Sequence, residues 1–253
     1  MKPSASGRII IWRGGSLWIG LAGEPAGVHS HHAVQISLPF HPGRVRFKIP
    51  DGNWRIYSTA IVAAQQVHAF EARGQFMAQI FVEPESRDGR VLQLRYRDLG
   101  ISALPRGALD DEVGALARAY EKRVPDAELA TITRAAISKL AGAAPTAAAM
   151  PDARIARSLD LIRERLSGSI TLRSIASAVH LSPDRFRHLF MQETGVGLRP
   201  YLLWLRLESS LSAYVNGQTL TEAAHAGGFA DSAHFSRTFK KMFGITPASV
   251  RPE

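Results

Sequence analysis

Residues 182–195 read SPDRFRHLFMQETG, and residues 231–244 read DSAHFSRTFKKMFG. Laid over each other at a constant offset, they match Phe186 and Phe190 to Phe235 and Phe239, and Gly195 to Gly244. Phenylalanines four apart share one helical face, and a closing glycine supplies the left-handed residue that ends many helices. Each segment follows a shorter amphipathic stretch, LRSIASAV at 172–179 and LTEAAHA at 220–226, across the turns HLS and GGFA. A helix–turn–helix written twice is the pattern of a paired DNA reader. The units are expected over 172–194 and 220–242.

The caps are in register with this reading. Thr171, Ser182 and Thr219 precede the helices as N-caps, and Pro183 takes a first helical position. Pro200 opens the longest segment, YLLWLRLESSLSAYV. At ~1.5 Å per residue it would hold two small units about 20–25 Å apart. If the phenylalanines and Leu189 face inward, Asp184, Arg187 and His188 face outward in the first copy. Ala233, Ser236 and Arg237 do so in the second. Arg187 and Arg237 can each donate two hydrogen bonds to a guanine, a discrimination worth ~1–3 kcal/mol. Lys240 and Lys241, at the helix end, are better placed for phosphate, as are the capping hydroxyls of Thr171, Ser182 and Thr219.

Upstream the pattern is different. Arg8–Trp12, Ser16–Leu21, Ala33–Phe40, Val45–Ile49, Arg55–Ala63 and Gln75–Val82 are short apolar or alternating runs. Gly14-Gly15, Gly23, Pro42-Gly43, Asp51-Gly52, Gly74 and Asp88-Gly89 punctuate them as turns. Such strands imply a small β-barrel or sandwich. Leu109, Val113, Leu116 and Tyr120 then lie on one helical face, and Pro125-Asp126 opens a second helix carrying Leu129, Ile132, Ala136 and Leu140. These helices either cover the sheet or pair with a second copy of the chain. AGAAPTAAAMP at 141–151 reads as a linker. The expected fold is α+β: a sheet-rich region over 1–104, a helical segment over 105–140, the linker, and an all-α domain of about seven helices over 152–253.

In the C-terminal hundred residues the chain resembles the AraC/XylS family of bacterial transcription regulators. GFADSAHFSRTFKKMFGITPASVR at 228–251 carries the resemblance most specifically, and SPDRFRHLFMQETG matches the usual first recognition helix. The resemblance implies base contacts from Asp184, Arg187 and His188 in the first unit, and from Ser232, Ala233, Ser236 and Arg237 in the second. It has three departures. His188 stands where members commonly carry arginine, Ala223 where a large aliphatic residue is usual, and Val250 where an aromatic is usual. The last two are expected to thin the packing beneath the second unit.

The first half resembles a cupin barrel more loosely, through strand spacing and the segments HHAVQI and FVEPES. His29, His31 and His68 could converge on a metal in such a barrel, but Gln35 stands where cupins place an acidic ligand. Hydrogen-bonded structural histidines are therefore the leading reading, ahead of metal ligands and of an effector pocket built from His29, His31, Gln35 and His68. No metal or cofactor is expected.

Composition narrows the function classes. The net charge of +9 favours polyanionic partners, but the excess is spread over both halves, so it supports nucleic-acid binding only weakly. The chain has no cysteine, which removes disulfide and thiolate chemistry. Neither a signal peptide nor a run of ~20 apolar residues is evident, which points to a cytoplasmic protein with no membrane partner. The expectation is a non-enzymatic regulator that binds duplex DNA, with RNA polymerase and a small-molecule effector as further partners and a homodimer as one open arrangement. A cupin-type metal protein or enzyme with an accessory helical domain is the alternative. Against it stand the missing acidic ligand and the lack of a GxSxG or phosphate-loop motif.

Overall fold

The computed structural model describes residues 5–40, 43–142 and 151–252. The expected turn at Pro42 and most of the expected linker, 143–150, lie outside the described residues. The chain divides into two compact units, one of Met1–Pro145 with Ser236–Glu253 and one of Thr146–Phe235.

The first unit is built on two sheets. The larger contains β1 (Ala5–Trp12), β2 (Gly15–Ala22), β4 (Val34–Pro39), β7 (Ala60–Val62), β9 (Phe76–Val82), β10 (Ile101–Ala103) and β11 (Val250–Pro252), in the order β10-β7-β4-β9-β2-β1-β11. The smaller runs β3-β8-β5-β6, with β3 at Ala26–His29, β5 at Val45–Lys48, β6 at Arg55–Tyr57 and β8 at His68–Glu71. Neighbours are antiparallel except β1 and β11, which are parallel with Ala5 opposite Val250. The barrel expectation is corrected here. Closure needs an unbroken ladder, and among the described residues the edge strands β10, β11, β3 and β6 leave both sheets open.

Strict alternation sorts the larger sheet's side chains. Val34, Ile36 and Leu38 of β4, with Ala78, Ile80 and Val82 of β9, enter one core with helices α1 (Arg87–Tyr96), α2 (Asp110–Glu121) and α3 (Asp126–Ala141). Leu116, Leu129, Ala136 and Leu140 are buried in that core, so α2 and α3 cover the sheet, as one of the two readings of their apolar faces required. The opposite face brings Val62 and Met77 against Val45 and Phe47 of the smaller sheet. Gln35, Ser37 and Gln79 have the same parity and meet in a hydrogen-bonded group. Helix α1 replaces the turn expected at Asp88-Gly89. Ser86 caps it by accepting from Gly89 N, and Gly89 sits so close to Glu83 O that a Cβ would lie 1.9 Å away. Glycine here serves a close approach rather than a turn.

The helical run of the second unit comprises α4 (Ala153–Glu164), α5 (Leu172–Ala178), α6 (Pro183–Thr194), α7 (Leu198–Val215) and α8 (Leu220–Ala226). Helix α9 (Ser232–Phe243) follows, with its first four residues counted in the second unit and the rest in the first. A 3₁₀ turn at Pro247–Ser249 leads into β11, so the chain's end is not helical throughout. Helix α7 starts two residues before Pro200 because proline needs no backbone donor in a first turn.

Candidate nucleic-acid interface and histidine cluster

The first helix–turn–helix is α5 and α6. Thr171 and Ser174 form a reciprocal capping box, and Ser182 accepts from Arg185 N at 3.3 Å. The turn uses His180 at a φ of 56°, and α6 ends on Gly195 at 74°. Phe186, Leu189 and Phe190 are buried, leaving Asp184, Arg187 and His188 exposed on the other face. Arg187 Nη1 donates to Asp184 Oδ1 at 2.8 Å.

The second is α8 and α9. Thr219 and Glu222 form its capping box, and Asp231 caps α9 by accepting from His234 N at 2.6 Å. The Thr219 hydroxyl also donates to Glu222 Oε2 at 2.8 Å. Its proton is therefore committed, which makes it a poorer phosphate donor than Thr171 or Ser182. The bonds from Thr219 hold the Glu222 carboxyl below its ordinary range, the backbone donor contributing most. Phe235, Thr238, Phe239 and Phe243 are buried. Ala233, Arg237, Lys240 and Lys241 are exposed, while Ser232 and Ser236 are half-buried at the margin of that face. Gly244 repeats Gly195 with a φ of 73°.

Two departures gain physical reasons. Ala223 and Ala224 are fully buried, and a Cβ on Gly227 would meet Arg206 O at 2.3 Å and Ser210 Oγ at 2.0 Å. Small residues thus let α8 lie close on α7. Val250 is buried in β11, where it is the register partner of Ala5 in β1.

In the first unit His29, His31 and His68 are buried together, with one ring nitrogen from each lying within 4.8 Å of the others. His29 Nδ1 donates to Gly27 O at 2.7 Å, His31 Nδ1 to Ala33 O at 2.8 Å and His68 Nδ1 to Gln66 O at 2.9 Å. A carbonyl can only accept, so each ring donates from Nδ1, and His68 Nε2 has no hydrogen-bond partner. Burial lowers all three pKa values. His31 is pushed down to about 4, with His29 adding to the effect, and His68 lies well below the ordinary value, with His31 and His29 adding. His31 Nε2 lies 2.9 Å from Gln35 Oε1, while Gln35 Nε2 donates to Ser37 Oγ and Gln79 Oε1 at 3.1 Å each. His32 is not part of this group and pairs with Glu85 at 2.8 Å.

A cavity of about 110 Å³ in the same unit is lined by Trp18, His29, Gln35, Met77, Phe81 and Phe243. It brings together two of the four effector-pocket candidates, His29 and Gln35. His31 and His68 lie outside its lining. Sequence reasoning missed Trp18 and Phe243, whose rings stand 4.9 Å apart. The apolar face of α9, read only as helix packing, continues to Phe243 and was the available signal.

Taken together, these elements define a helix-turn-helix protein, and a helix-turn-helix domain model matches residues 175–253. This C-terminal region is a domain of the AraC type. An uncharacterized HTH-type transcriptional regulator, YijO, of Escherichia coli K12 is 37% identical over 94 residues, 36% of this chain and 33% of that protein. The arabinose operon regulatory protein of Salmonella typhimurium is 30% identical over 102 residues, 40% of this chain and 36% of its own length. The chain thus spans about a third of the length of the curated relatives it matches. ToxT from Vibrio cholerae O395 shares the fold at a TM-score of 0.59 and 12% identity, over 92% of this chain and 95% of that one. No helix among the described residues is long and apolar enough to cross a membrane.

Proposed function

We infer that the chain is a sequence-specific DNA-binding transcription regulator. The observation that carries this is the pair of capped helix–turn–helix units, each with a buried aromatic face and an exposed polar face. Asp184, Arg187 and His188 read one half-site, and Ser232, Ala233, Ser236 and Arg237 read another. Lys240 and Lys241 hold phosphate, with Thr171 and Ser182 assisting and Thr219 mainly capping. The functional division follows 1–104 for sensing, 105–140 for cover, 141–151 for linkage and 152–253 for DNA. The exposed residues of the two units differ at every base-facing pair, so the operator is asymmetric.

The cavity beside Trp18 and Phe243 takes a small effector. Phe243 ends the second recognition helix, so a ligand displacing its ring acts directly on that helix. The setting is cytoplasmic, with RNA polymerase as the natural further partner. Selection from random duplexes, followed by footprinting, tests the reading. A conserved two-part site is expected, and equal affinity for all sequences would exclude specific recognition.

A further inference from the structure

We propose that the cavity beside Trp18 and Phe243 takes an uncharged ligand, one flat apolar ring carrying a hydrogen-bond acceptor, in preference to a carboxylate or a sugar. The inference rests on the reading of this cavity as the effector site and adds the chemistry of what enters it. The floor is a bare strip of backbone. Gly7 and Gly20 are register partners across β1 and β2, and both line the cavity. Opposed residues of antiparallel strands share a face, so neither raises a side chain there. Position 7 is held to glycine, since an added Cβ would lie 2.1 Å from Ile19 O. Glycine inside a strand is a common mark of close approach by a ligand.

The walls set shape and size. Trp18, Phe81 and Phe243 stand together with ring centroids 4.9, 5.4 and 5.4 Å apart, and Met77, Ile245 and Val250 extend the apolar lining. Aromatic walls favour a flat π-system, which they meet by offset stacking or edge to face. An apolar cavity of ~150 Å³ accepts benzene, so about 110 Å³ is the scale of a single ring.

The polar lining sets charge. Its charged residues are Arg8 and Glu24. Arg8 is engaged elsewhere, donating from Nε to Asp126 Oδ1 at 3.0 Å and from Nη1 to Val124 O at 2.7 Å, and Glu24 would repel an anion. His29 is kept neutral by burial. A carboxylate would therefore lose its water without gaining a free cation, and a sugar would bring more hydroxyls than His29, Gln35 and Gln79 can satisfy. Ser37 Oγ at 2.6 Å and Gln35 Nε2 at 3.1 Å both donate to Gln79 Oε1. With that oxygen occupied, what Gln79 still offers is the donor side of its amide. Trp18 Nε1 is a second donor, buried without a hydrogen-bond partner. Unused donors call for an acceptor on the ligand, such as a carbonyl oxygen.

Full-length protein carrying isotope-labelled methionine methyl groups tests the assignment by NMR titration. The Met77 methyl belongs to the lining and reports occupancy of this cavity, while Met191, exposed on α6, is the control. Acetophenone and benzoate, nearly equal in size, differ in charge, and glucose stands for the sugars. Acetophenone should shift Met77 saturably and leave Met191 unmoved, with benzoate at least ~10-fold weaker and glucose without effect. Gln79→Leu should weaken acetophenone about tenfold, the loss of one hydrogen bond, and leave isopropylbenzene unchanged, a split that mere loosening of the sheet would not give. Should that variant misfold, the infrared carbonyl stretch of acetophenone bound to the unaltered chain decides, since it falls in frequency when the oxygen accepts a hydrogen bond. Benzoate or glucose matching acetophenone at Met77, or a carbonyl stretch as high as in an apolar solvent, would overturn the ligand class and leave the effector site standing. Failure of every probe, isopropylbenzene included, to move Met77 would overturn both.

Discussion

Arg187 reaches back one turn to Asp184, its Nη1 donating to Oδ1 at 2.8 Å on the exposed face of α6. The pair sits where the first helix would meet bases. An exposed ion pair is worth only ~0.2–1 kcal/mol, less than the ~1–3 kcal/mol of a bidentate arginine–guanine contact. Asp184 therefore aligns Arg187 without trapping it, and its charge repels phosphate. Asp184→Ala should leave folding stability within ~0.5 kcal/mol and tighten binding to all duplexes at low salt, while preference at the guanine weakens. Binding measured against matched and mismatched operators across a salt series checks this. A tightening restricted to the matched operator would contradict it.

The second helix has no such brake, since position 233, the counterpart of Asp184, is alanine. Arg237→Ala should cost ~1–3 kcal/mol and relax preference at one or two bases. An unchanged binding motif after selection from random duplexes would remove Arg237 from base reading.

Lys240 should behave otherwise. Lys240→Ala is expected to weaken binding to every sequence alike and to lower the salt slope by about one. Fluorescence anisotropy on specific and random duplexes separates the outcomes, and a loss confined to one operator would place Lys240 on a base.

The capping box of α8 gives a pH signature. Glu222 is held below its ordinary 4.5 by donors on Thr219. The folded state thus binds this proton later than the unfolded chain, and stability rises with pH through the interval between the two values. The contribution is present above pH 4.5 and fades as pH falls through the lower folded value. Urea midpoints of the unaltered chain and Glu222→Gln, compared from pH 7 to 3, should converge on acidification. A gap independent of pH would rule out the charged cap.

Most of this architecture is legible in the residues. The helix–turn–helix units show through because caps, phenylalanine spacing and glycine ends are local signals that agree with one another. What was hidden is non-local. Strands β3, β8 and β10 have only three or four residues each, too few for a period to register, and β11 exists only because β1 offers it an edge. Gly89 looked like a turn residue because its true constraint, the carbonyl of Glu83, is a matter of packing. The histidines were visible one by one, but the shared Nδ1 bonding depends on backbone carbonyls that carry no sequence signature. Barrel closure, likewise, depends on edge pairing, which alternation cannot reveal.

The two closing glycines separate what the repeat shares from what it does not. Gly195 and Gly244 have nearly the same positive φ, 74° and 73°. A side chain in this region costs roughly 1–2 kcal/mol. At Gly195 an added Cβ would meet nothing within 4 Å, so Gly195→Ala should cost only that conformational term. At Gly244 it would lie 2.5 Å from Gly27 O and 2.7 Å from His29 Nδ1. Backbone must then shift, so Gly244→Ala should be the more destabilising and should also perturb His29. Urea unfolding gives the first difference, and the His29 imidazole resonances give the second. Equal losses at the two positions, with His29 unmoved, would show that the chain after α9 does not rest on β3.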